Sequence, residues 1–100
     1  MALEPTRNEV DALPGITLLE FGTSWCPHCQ HARPLVDAAL AEHPGLRHLR
    51  VEDGKGHPLG RSFHVKLWPT LILLRDGQEL ARSVRPRKAT DLDAALQPLR

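Results

Sequence analysis

The two cysteines of this chain, Cys26 and Cys29, are separated by two residues and follow a short apolar segment. The run Ile-Thr-Leu-Leu-Glu-Phe at 16–21 is typical of a buried strand, and Gly-Thr-Ser at 22–24 can turn the backbone. Pro27 favours the first position of a helix, because its φ angle is already helical and its missing N–H would have no partner there. The sequence therefore predicts a strand, a turn and a helix that holds the Cys26 sulfur at its N-terminus.

A cysteine in that place should ionise readily. The unpaired N–H groups and the dipole of the first helical turn favour an anion, and the thiolate is the nucleophilic form of cysteine. His28 can carry a proton, so we expect it to stabilise the same negative charge. Cys29 should reach bonding distance of Cys26 while being the more buried of the two. We therefore predict that an exposed Cys26 attacks a partner's disulfide and that Cys29 resolves the mixed disulfide.

The hydrophobic periodicity predicts helices and strands around one sheet. Strand 17–21 is apolar on both faces, so helices are expected to cover both sides of it. Thr6 with Glu9, and Thr90 with Asp93, fit capping boxes at two helix starts. The predicted helices are 7–12, 27–41, 58–63 and a final helix carrying Leu92 to Leu99, and the predicted strands are 17–21, 46–52, 71–75 and 79–84.

The overall charge and length exclude several classes of protein. With 13 basic and 12 acidic side chains, nothing favours nucleic acid or a membrane surface as a partner. The 100 residues predict one domain over 1–100, and no apolar run approaches the roughly 20 residues of a membrane span. Residues 1–5 lack the basic and apolar segments of a signal peptide, so we expect a cytoplasmic monomer, or a periplasmic one if the chain was trimmed.

Metal binding is an alternative interpretation of the cysteine segment. Cys26, His28, Cys29 and His31 are all zinc-ligand types, although neighbours on one helix point to different faces and a structural site normally recruits a second ligand pair. Attachment of haem has weaker support than zinc binding, because Gln30 occupies the position where the C-x-x-C-H motif needs histidine.

Two further interpretations concern the function of the whole chain and the loop 53–57. A binding module could keep the fold without catalytic turnover, and a Cys26→Ser variant that retains function would support it. The glycine-containing loop 53–57 fits neither a P-loop nor a G-x-G-x-x-G pattern. His31, His43 and His48 are expected at the surface and are assigned no role.

An ordered set of motifs over about residues 16–99 resembles the thioredoxin superfamily. Trp25 precedes the C-x-x-C, Pro34 lies where thioredoxins carry a helix-kinking proline, and Glu20 lies where they keep a buried acidic residue. Trp68-Pro69-Thr70 is similar to the cis-proline signature and is followed by a strand and an Asp-Gly turn. The resemblance implies an α/β thioredoxin fold: three α/β/α layers, with a central mixed sheet of about four strands and flanking helices.

The resemblance also implies a function and a set of site residues. It implies a thiol–disulfide oxidoreductase that needs no cofactor, acts on protein disulfide or dithiol partners and is served by an upstream thiol reductant or reductase. Glu20 would relay a proton to the resolving thiol. Trp25, Trp68 and Pro69 would form the substrate surface, with a cis bond before Pro69 and the backbone of Trp68 pairing with the bound chain.

Several positions depart from the family's pattern. The lysine that usually pairs with the buried acid is matched here by Leu49, so that pairing is expected to be lost. The strand that usually precedes the first helix has only Met1 to Pro5 available and should be short or absent. Arg85 stands where a glycine is common, and it could favour the thiolate, select acidic partners or simply be solvated.

The dipeptide between the cysteines is a further departure. Pro27-His28 replaces the Gly-Pro of common thioredoxins and is similar to the C-P-H-C of DsbA-type oxidases. Those oxidases also have a helical insertion and an export signal, for which we expect no space in these 100 residues. A more stabilised thiolate makes a dithiol harder to oxidise and its disulfide a better oxidant. We therefore predict a redox couple that is more oxidising than a general thioredoxin.

Overall fold

The computed structural model describes residues 4–99. Helices and strands alternate along most of this part of the chain, broadly as the periodicity predicts. The helices are α1 (Arg7–Asp11), α2 (Pro27–Glu42), α3 (Pro58–Ser62) and α4 (Ala89–Ala95), and a short 3-10 helix spans Gln97–Leu99. The strands are β1 (Ile16–Gly22), β2 (Arg47–Glu52), β3 (Thr70–Arg75) and β4 (Gln78–Val84).

The four strands form one mixed sheet in the order β2-β1-β3-β4. β1 runs parallel to β2 and antiparallel to β3, and β3 pairs with β4 through the tight turn at Asp76 and Gly77. Both turn residues have positive φ angles, 49° and 81°, which favours an Asp-Gly pair at this kind of hairpin. β1 is therefore central, and β4 lies at the sheet edge as predicted.

Helices cover both faces of the sheet. Val10 of α1 and Leu59 of α3 are buried with Phe21 of β1 in a core on one face. Val36 of α2 and Leu92 of α4 are buried in a second core on the other face. These layers confirm the predicted three-layer thioredoxin fold. The physical reason for the layers is that a central strand that is apolar on both sides must be covered on both sides.

The sequence predicted two capping boxes at helix starts, and the structure contains one of them as predicted. The capping box at α1 is confirmed, since Thr6 Oγ1 accepts from the Glu9 N–H and Glu9 accepts from the Thr6 N–H. The box predicted from Thr90 and Asp93 is wrong, because the N-cap of α4 is Lys88, two residues earlier, and Asp91 accepts the amides of residues 87 and 88 instead.

The final helix is also shorter than predicted. α4 ends at Ala95, and Leu99 lies in the 3-10 helix. Pro98 explains this end, because proline lacks an N–H and disfavours helical geometry at the residue before it. The apolar stripe continues past the break, so the sequence pattern alone suggested one longer helix.

The expected loss of an N-terminal strand is tested only in part. Glu4 and Pro5 are not in a strand, while Met1 to Leu3 lie outside the described residues. Within 4–99, no helix combines the length and the apolar character needed to cross a membrane.

Candidate active site

Cys26 is the N-cap of α2, and Pro27 occupies the first helical position as predicted. The Cys29 N–H donates to the Cys26 sulfur over 3.4 Å, so one otherwise unpaired amide of the first turn points at this sulfur. Both cysteines are free thiols. Helix α2 then continues through Pro34 to Glu42, which keeps the dithiol on a rigid element.

The pKa of Cys26 is lowered from that of an ordinary cysteine. Burial acts to raise this pKa, but the Cys29 side chain and the backbone amides of Cys29 and His28 hydrogen-bond to the sulfur, and the Arg85 charge adds to their effect. All of these groups stabilise the thiolate more than the thiol. Cys26 is therefore the thiol of this pair that ionises first.

Cys29 is shifted in the opposite direction. The pKa of Cys29 is raised to about 11, mainly by burial and further by the hydrogen bond to Cys26 and the negative charges of Cys26 and Glu20, while the Thr23 amide acts to lower it. A thiol in this environment keeps its proton until a base removes it. The two sulfurs thus have the unequal acidities of an attacking and a resolving thiol.

The accessibility of the two cysteines was not predicted correctly. Cys26 is only 4% exposed and Cys29 is 7% exposed, so Cys26 is not an exposed residue and accessibility does not rank Cys29 as the more buried. The physical reason is that the Cys29 thiol and the Arg85 side chain both approach the Cys26 sulfur. The difference in pKa between the thiols comes from desolvation at Cys29 and from the hydrogen bonds and charges around each sulfur.

The part played by His28 also differs from the prediction. Its side chain is exposed, and what lowers the pKa of Cys26 is the hydrogen bond from its backbone N–H. Arg85, for which the sequence left three interpretations, is the side chain whose charge favours the thiolate.

Gly22 provides the space for the resolving sulfur, a role that sequence reasoning missed. A Cβ atom added at Gly22 would lie 2.6 Å from Cys29 Sγ, closer than real side chains approach one another. Gly22 is the last residue of β1, directly beneath the first turn of α2. The sheet and the helix can therefore hold the dithiol this closely only because residue 22 has no side chain.

Glu20 is buried, as the resemblance implied, but its partners were not predicted. Its carboxylate Oε1 lies 2.7 Å from His48 Nε2 and 3.4 Å from Arg50 Nη2. Leu49 packs with the apolar core on the opposite face. The matched position therefore supplies no partner, as predicted, but two basic residues that were not predicted do, because side chains alternate along β2 and the residues on either side of Leu49 face Glu20.

These partners fix the charge of the carboxylate. Burial acts to raise the pKa of Glu20, but the hydrogen bonds and positive charges of His48 and Arg50 outweigh it, so this pKa is lowered from its ordinary value. Glu20 is thus an anion held under α2. The interpretation of His48 as a surface residue without a role is wrong, since its side chain is only 20% exposed and pairs with this anion.

A small cavity connects Glu20 with the resolving thiol. Its volume is about 50 Å³, and its lining includes Glu20, Thr23, Cys29, Arg33 and Arg50. This volume exceeds what one water molecule needs. Water can therefore bridge the carboxylate and the Cys29 thiol.

The peptide bond between Trp68 and Pro69 is cis. Arg85 holds this loop from the other side, since its Nε donates to the Trp68 carbonyl over 2.8 Å and its backbone N–H donates to the Pro69 carbonyl over 2.8 Å. Because Arg85 has a left-handed φ of 51°, this position adopts a conformation that glycine favours. The Trp68 carbonyl is consequently occupied by a side chain of the same chain.

Two tryptophans lie together beside the dithiol. Trp25 is 68% exposed, and its ring meets Trp68 edge to face with centroids 5.7 Å apart. The Trp68 indole N–H donates to Asp53 Oδ2 over 2.8 Å, which fixes the ring on one side. Trp25 therefore presents most of its aromatic surface to solvent, and its edge-to-face neighbour Trp68 is held by Asp53.

The zinc interpretation has no support from the geometry. Among residues 4–99, no group of three or more His, Cys, Asp or Glu side chains is arranged to hold a metal ion. Cys26 and Cys29 are instead paired with each other by hydrogen bonding.

Comparisons with known proteins agree with this geometry. The family model for thioredoxin matches residues 4–98. Thioredoxin of Chlamydia trachomatis is 36% identical over 70 residues, which cover 70% of this chain and 69% of that protein. Protein disulfide-isomerase A3 of Gallus gallus is 32% identical over 85 residues, which cover 84% of this chain and 17% of that protein.

The same likeness holds for solved structures. Thioredoxin 2 from Pseudomonas aeruginosa in its reduced form is 55% identical, with a TM-score of 0.88 over 99% of this chain and 92% of that one. With the paired thiols, the cis-proline loop and the buried carboxylate in place, these findings show that the chain belongs to the thioredoxin family and is a thiol–disulfide oxidoreductase.

Proposed function

We propose that this protein reduces disulfides of protein partners through Cys26 as attacking thiol and Cys29 as resolving thiol. The observation that carries the proposal is the opposite direction of the two pKa shifts, lowered at Cys26 and raised to about 11 at Cys29. An attacking thiol must be ionised at ambient pH, whereas the resolving thiol should stay protonated until the mixed disulfide has formed.

The proposed cycle balances two electrons. The Cys26 thiolate attacks one sulfur of the partner's disulfide, a Cys26–partner disulfide forms, and the other partner sulfur leaves as a thiolate. Cys29 then loses its proton towards Glu20 and attacks the Cys26 sulfur, which forms the Cys26–Cys29 disulfide and releases the second partner thiolate. A thiol reductant or reductase returns both electrons to the dithiol.

The proposed docking surface consists of Trp25, Trp68, Pro69 and Arg85. Trp25 offers an exposed aromatic face, and Arg85 places a positive charge next to Cys26. Since Arg85 already hydrogen-bonds the Trp68 carbonyl, a partner must compete for that carbonyl or contact the guanidinium instead. We infer a preference for disulfides flanked by acidic residues. We further propose a monomer in a reducing compartment such as the cytoplasm.

An Arg85→Gln variant tests this surface and the thiolate together. Loss of the positive charge should raise the pKa of Cys26, because one of the groups that favours the thiolate is removed. Reduction of an acidic peptide disulfide should fall about tenfold, and that of its neutral counterpart only about threefold.

The pKa of Cys26 is measured from thiolate absorbance near 240 nm, and the rates from peptide reduction. Arg87→Gln, an exposed arginine two residues on, is the matched control. Equal losses for both peptides would exclude a role in selection.

We also propose that the redox couple is more oxidising than that of a general thioredoxin. The support is the lowered pKa of Cys26, to which the His28 amide and the Arg85 charge contribute. One unit of pKa is about 1.4 kcal/mol, or roughly 30 mV for two electrons, so two units would give roughly 60 mV above the approximately −270 mV of thioredoxin. Equilibration with glutathione measures the potential of the wild type and of a Pro27→Gly/His28→Pro double variant. A wild-type potential at or below the thioredoxin value would refute the proposal.

A further inference from the structure

We propose that a basic cleft beside Trp68 binds an acidic segment of the partner polypeptide, several residues away from the disulfide under attack. The basic cleft is the open cavity lined by Lys55, Arg61, Lys66 and Trp68. This inference rests on the proposed reduction of protein disulfides, and it adds a second recognition site to the docking surface around Arg85.

The three cations of the basic cleft have no ion-pair partner in the described part of the chain. All three are exposed, and they come from separate segments: Lys55 from the loop after β2, Arg61 from α3 and Lys66 from the loop before the cis-proline. Elsewhere, Arg7 and Arg82 are paired with carboxylates. Since the whole sequence has a net charge of only +1, this grouping is a local excess of positive charge.

The acidic residue of the lining, Asp53, does not neutralise the basic cleft. Its carboxylate Oδ2 accepts the Trp68 indole N–H over 2.8 Å. The same carboxylate packs against Gly60 of α3, where an added Cβ would overlap it. Asp53 is therefore fixed in the wall of the cleft as the support of the Trp68 ring. Its single negative charge against three cations leaves two positive charges uncompensated.

Trp68 connects the basic cleft with the dithiol. Its carbonyl accepts the Nε–H of Arg85, the residue whose charge favours the Cys26 thiolate. At the far end of the side chain, the six-membered ring of the indole lies near Gly54 in the lining, because a Cβ added there would be 3.8 Å from Trp68 Cη2. A polypeptide that is bound at Cys26 and continues across Trp68 therefore reaches the cleft.

The size and charge of the basic cleft favour an extended acidic segment. Its volume of about 330 Å³ is at the lower end of the range for ligand pockets, so it has room for a few side chains but not for a folded surface. Carboxylates are the side chains that complement its charge. Because the cations are exposed, each pair should contribute modestly and be weakened by salt.

The test uses two peptides with the same intramolecular disulfide. Both carry tails at each end behind a three-residue Gly-Ser spacer, and the tails are three glutamates in one peptide and three glutamines in the other. The spacer keeps the tails away from Arg85. Pre-reduced protein is mixed with excess peptide, and tryptophan fluorescence follows oxidation of the dithiol. The dependence of the rate on peptide concentration gives the Kd and the limiting rate.

Two triple variants remove the same number of positive charges from different places. The cleft variant is Lys55→Gln/Arg61→Gln/Lys66→Gln. The control variant replaces three exposed cations outside the lining and is Arg75→Gln/Arg87→Gln/Lys88→Gln. Melting temperatures establish that both variants are folded.

We expect the wild type to bind the glutamate peptide about tenfold more tightly than the glutamine peptide at 20 mM NaCl. The limiting rates should be equal, because contacts remote from the reacting sulfurs strengthen the ground state and the transition state alike. The cleft variant should lose this preference, while the control variant should keep it to within about twofold. At 500 mM NaCl the wild-type preference should fall to about twofold, since salt screens exposed charges.

Three results would overturn the acidic-segment proposal. The first is a wild type that binds both peptides equally at 20 mM NaCl or keeps its full preference at 500 mM, which needs no variant. The second is an equal loss of preference in both variants, which would assign the effect to overall charge. The third is binding of free tripolyphosphate by the wild type without any peptide preference, which would assign the cleft to a small anion. A wild type that reduces neither peptide would instead refute the proposed disulfide reduction itself.

Discussion

Replacing Cys26 with serine should abolish disulfide reduction, with a loss of about a thousandfold or more, because the serine hydroxyl does not ionise near neutral pH and cannot form a mixed disulfide. Cys29→Ser should behave differently. It keeps the attacking thiol but lacks the sulfur that releases the partner, so the Cys26–partner disulfide should accumulate. Insulin reduction measures activity, and non-reducing electrophoresis with mass spectrometry identifies the trapped partner.

The two variants control each other. Both replacements are at buried positions and change one atom, so a shared folding defect would lower the melting temperature of both. Retention of full activity by Cys26→Ser would favour a binding module. If Cys29→Ser captured no partner while Cys26 stayed reactive to iodoacetamide, a broad reductase role would be excluded.

Replacing Gly22 with alanine should slow the resolving step about a hundredfold, because a displacement of about 1 Å in a reacting group can cost that much. The added Cβ would lie 2.6 Å from Cys29 Sγ. The contact can be relieved by rotating the sulfur away from Cys26 or by separating β1 from α2. Either movement takes the resolving sulfur out of line, and overpacking adds a destabilisation of about 1–3 kcal/mol.

Gly45→Ala is the matched control, since a Cβ there meets nothing within 4 Å. It should leave the reaction with 5,5′-dithiobis(2-nitrobenzoate) unchanged. In that reaction the first release of thionitrobenzoate reports attack by Cys26, and the second reports resolution by Cys29. Urea unfolding gives the change in stability of both variants. A Gly22→Ala protein that resolves the mixed disulfide at the wild-type rate would show that Cys29 has more freedom than the 2.6 Å approach implies.

The sequence predicted the local elements of the fold well, for identifiable reasons. Pro27 and the apolar run before it are local signals, and they located both β1 and the start of α2. The Asp-Gly turn at 76–77 is equally local and located the β3–β4 hairpin. The errors came where a distant contact or a later residue competes, as with Pro98, which ends the final helix before its apolar stripe ends.

The partners of Glu20 show how far the candidate site could be predicted. The resemblance identified the buried carboxylate, but matching one position of β2 pointed to Leu49 and away from the true partners. Strict alternation along β2 would have been a usable signal, because once Val51 is assigned to the apolar core, His48 and Arg50 must face the other side. The parallel register that brings them to Glu20 is a long-range pairing and has no local signature.

By itself the sequence determined the chemical groups and the local elements that carry them: a dithiol at a helix start, a proline before a buried strand, and an acid within an apolar strand. Only the tertiary structure decided how acidic Cys29 and Glu20 are. The hydrogen bonds that lower the pKa of Cys26 come mainly from Cys29 and His28 in the first turn of α2, and the sequence could predict them. The burial that raises the pKa of Cys29 and the His48 and Arg50 partners that lower the pKa of Glu20 arise from elements that are distant in the chain, so they are properties of the folded protein.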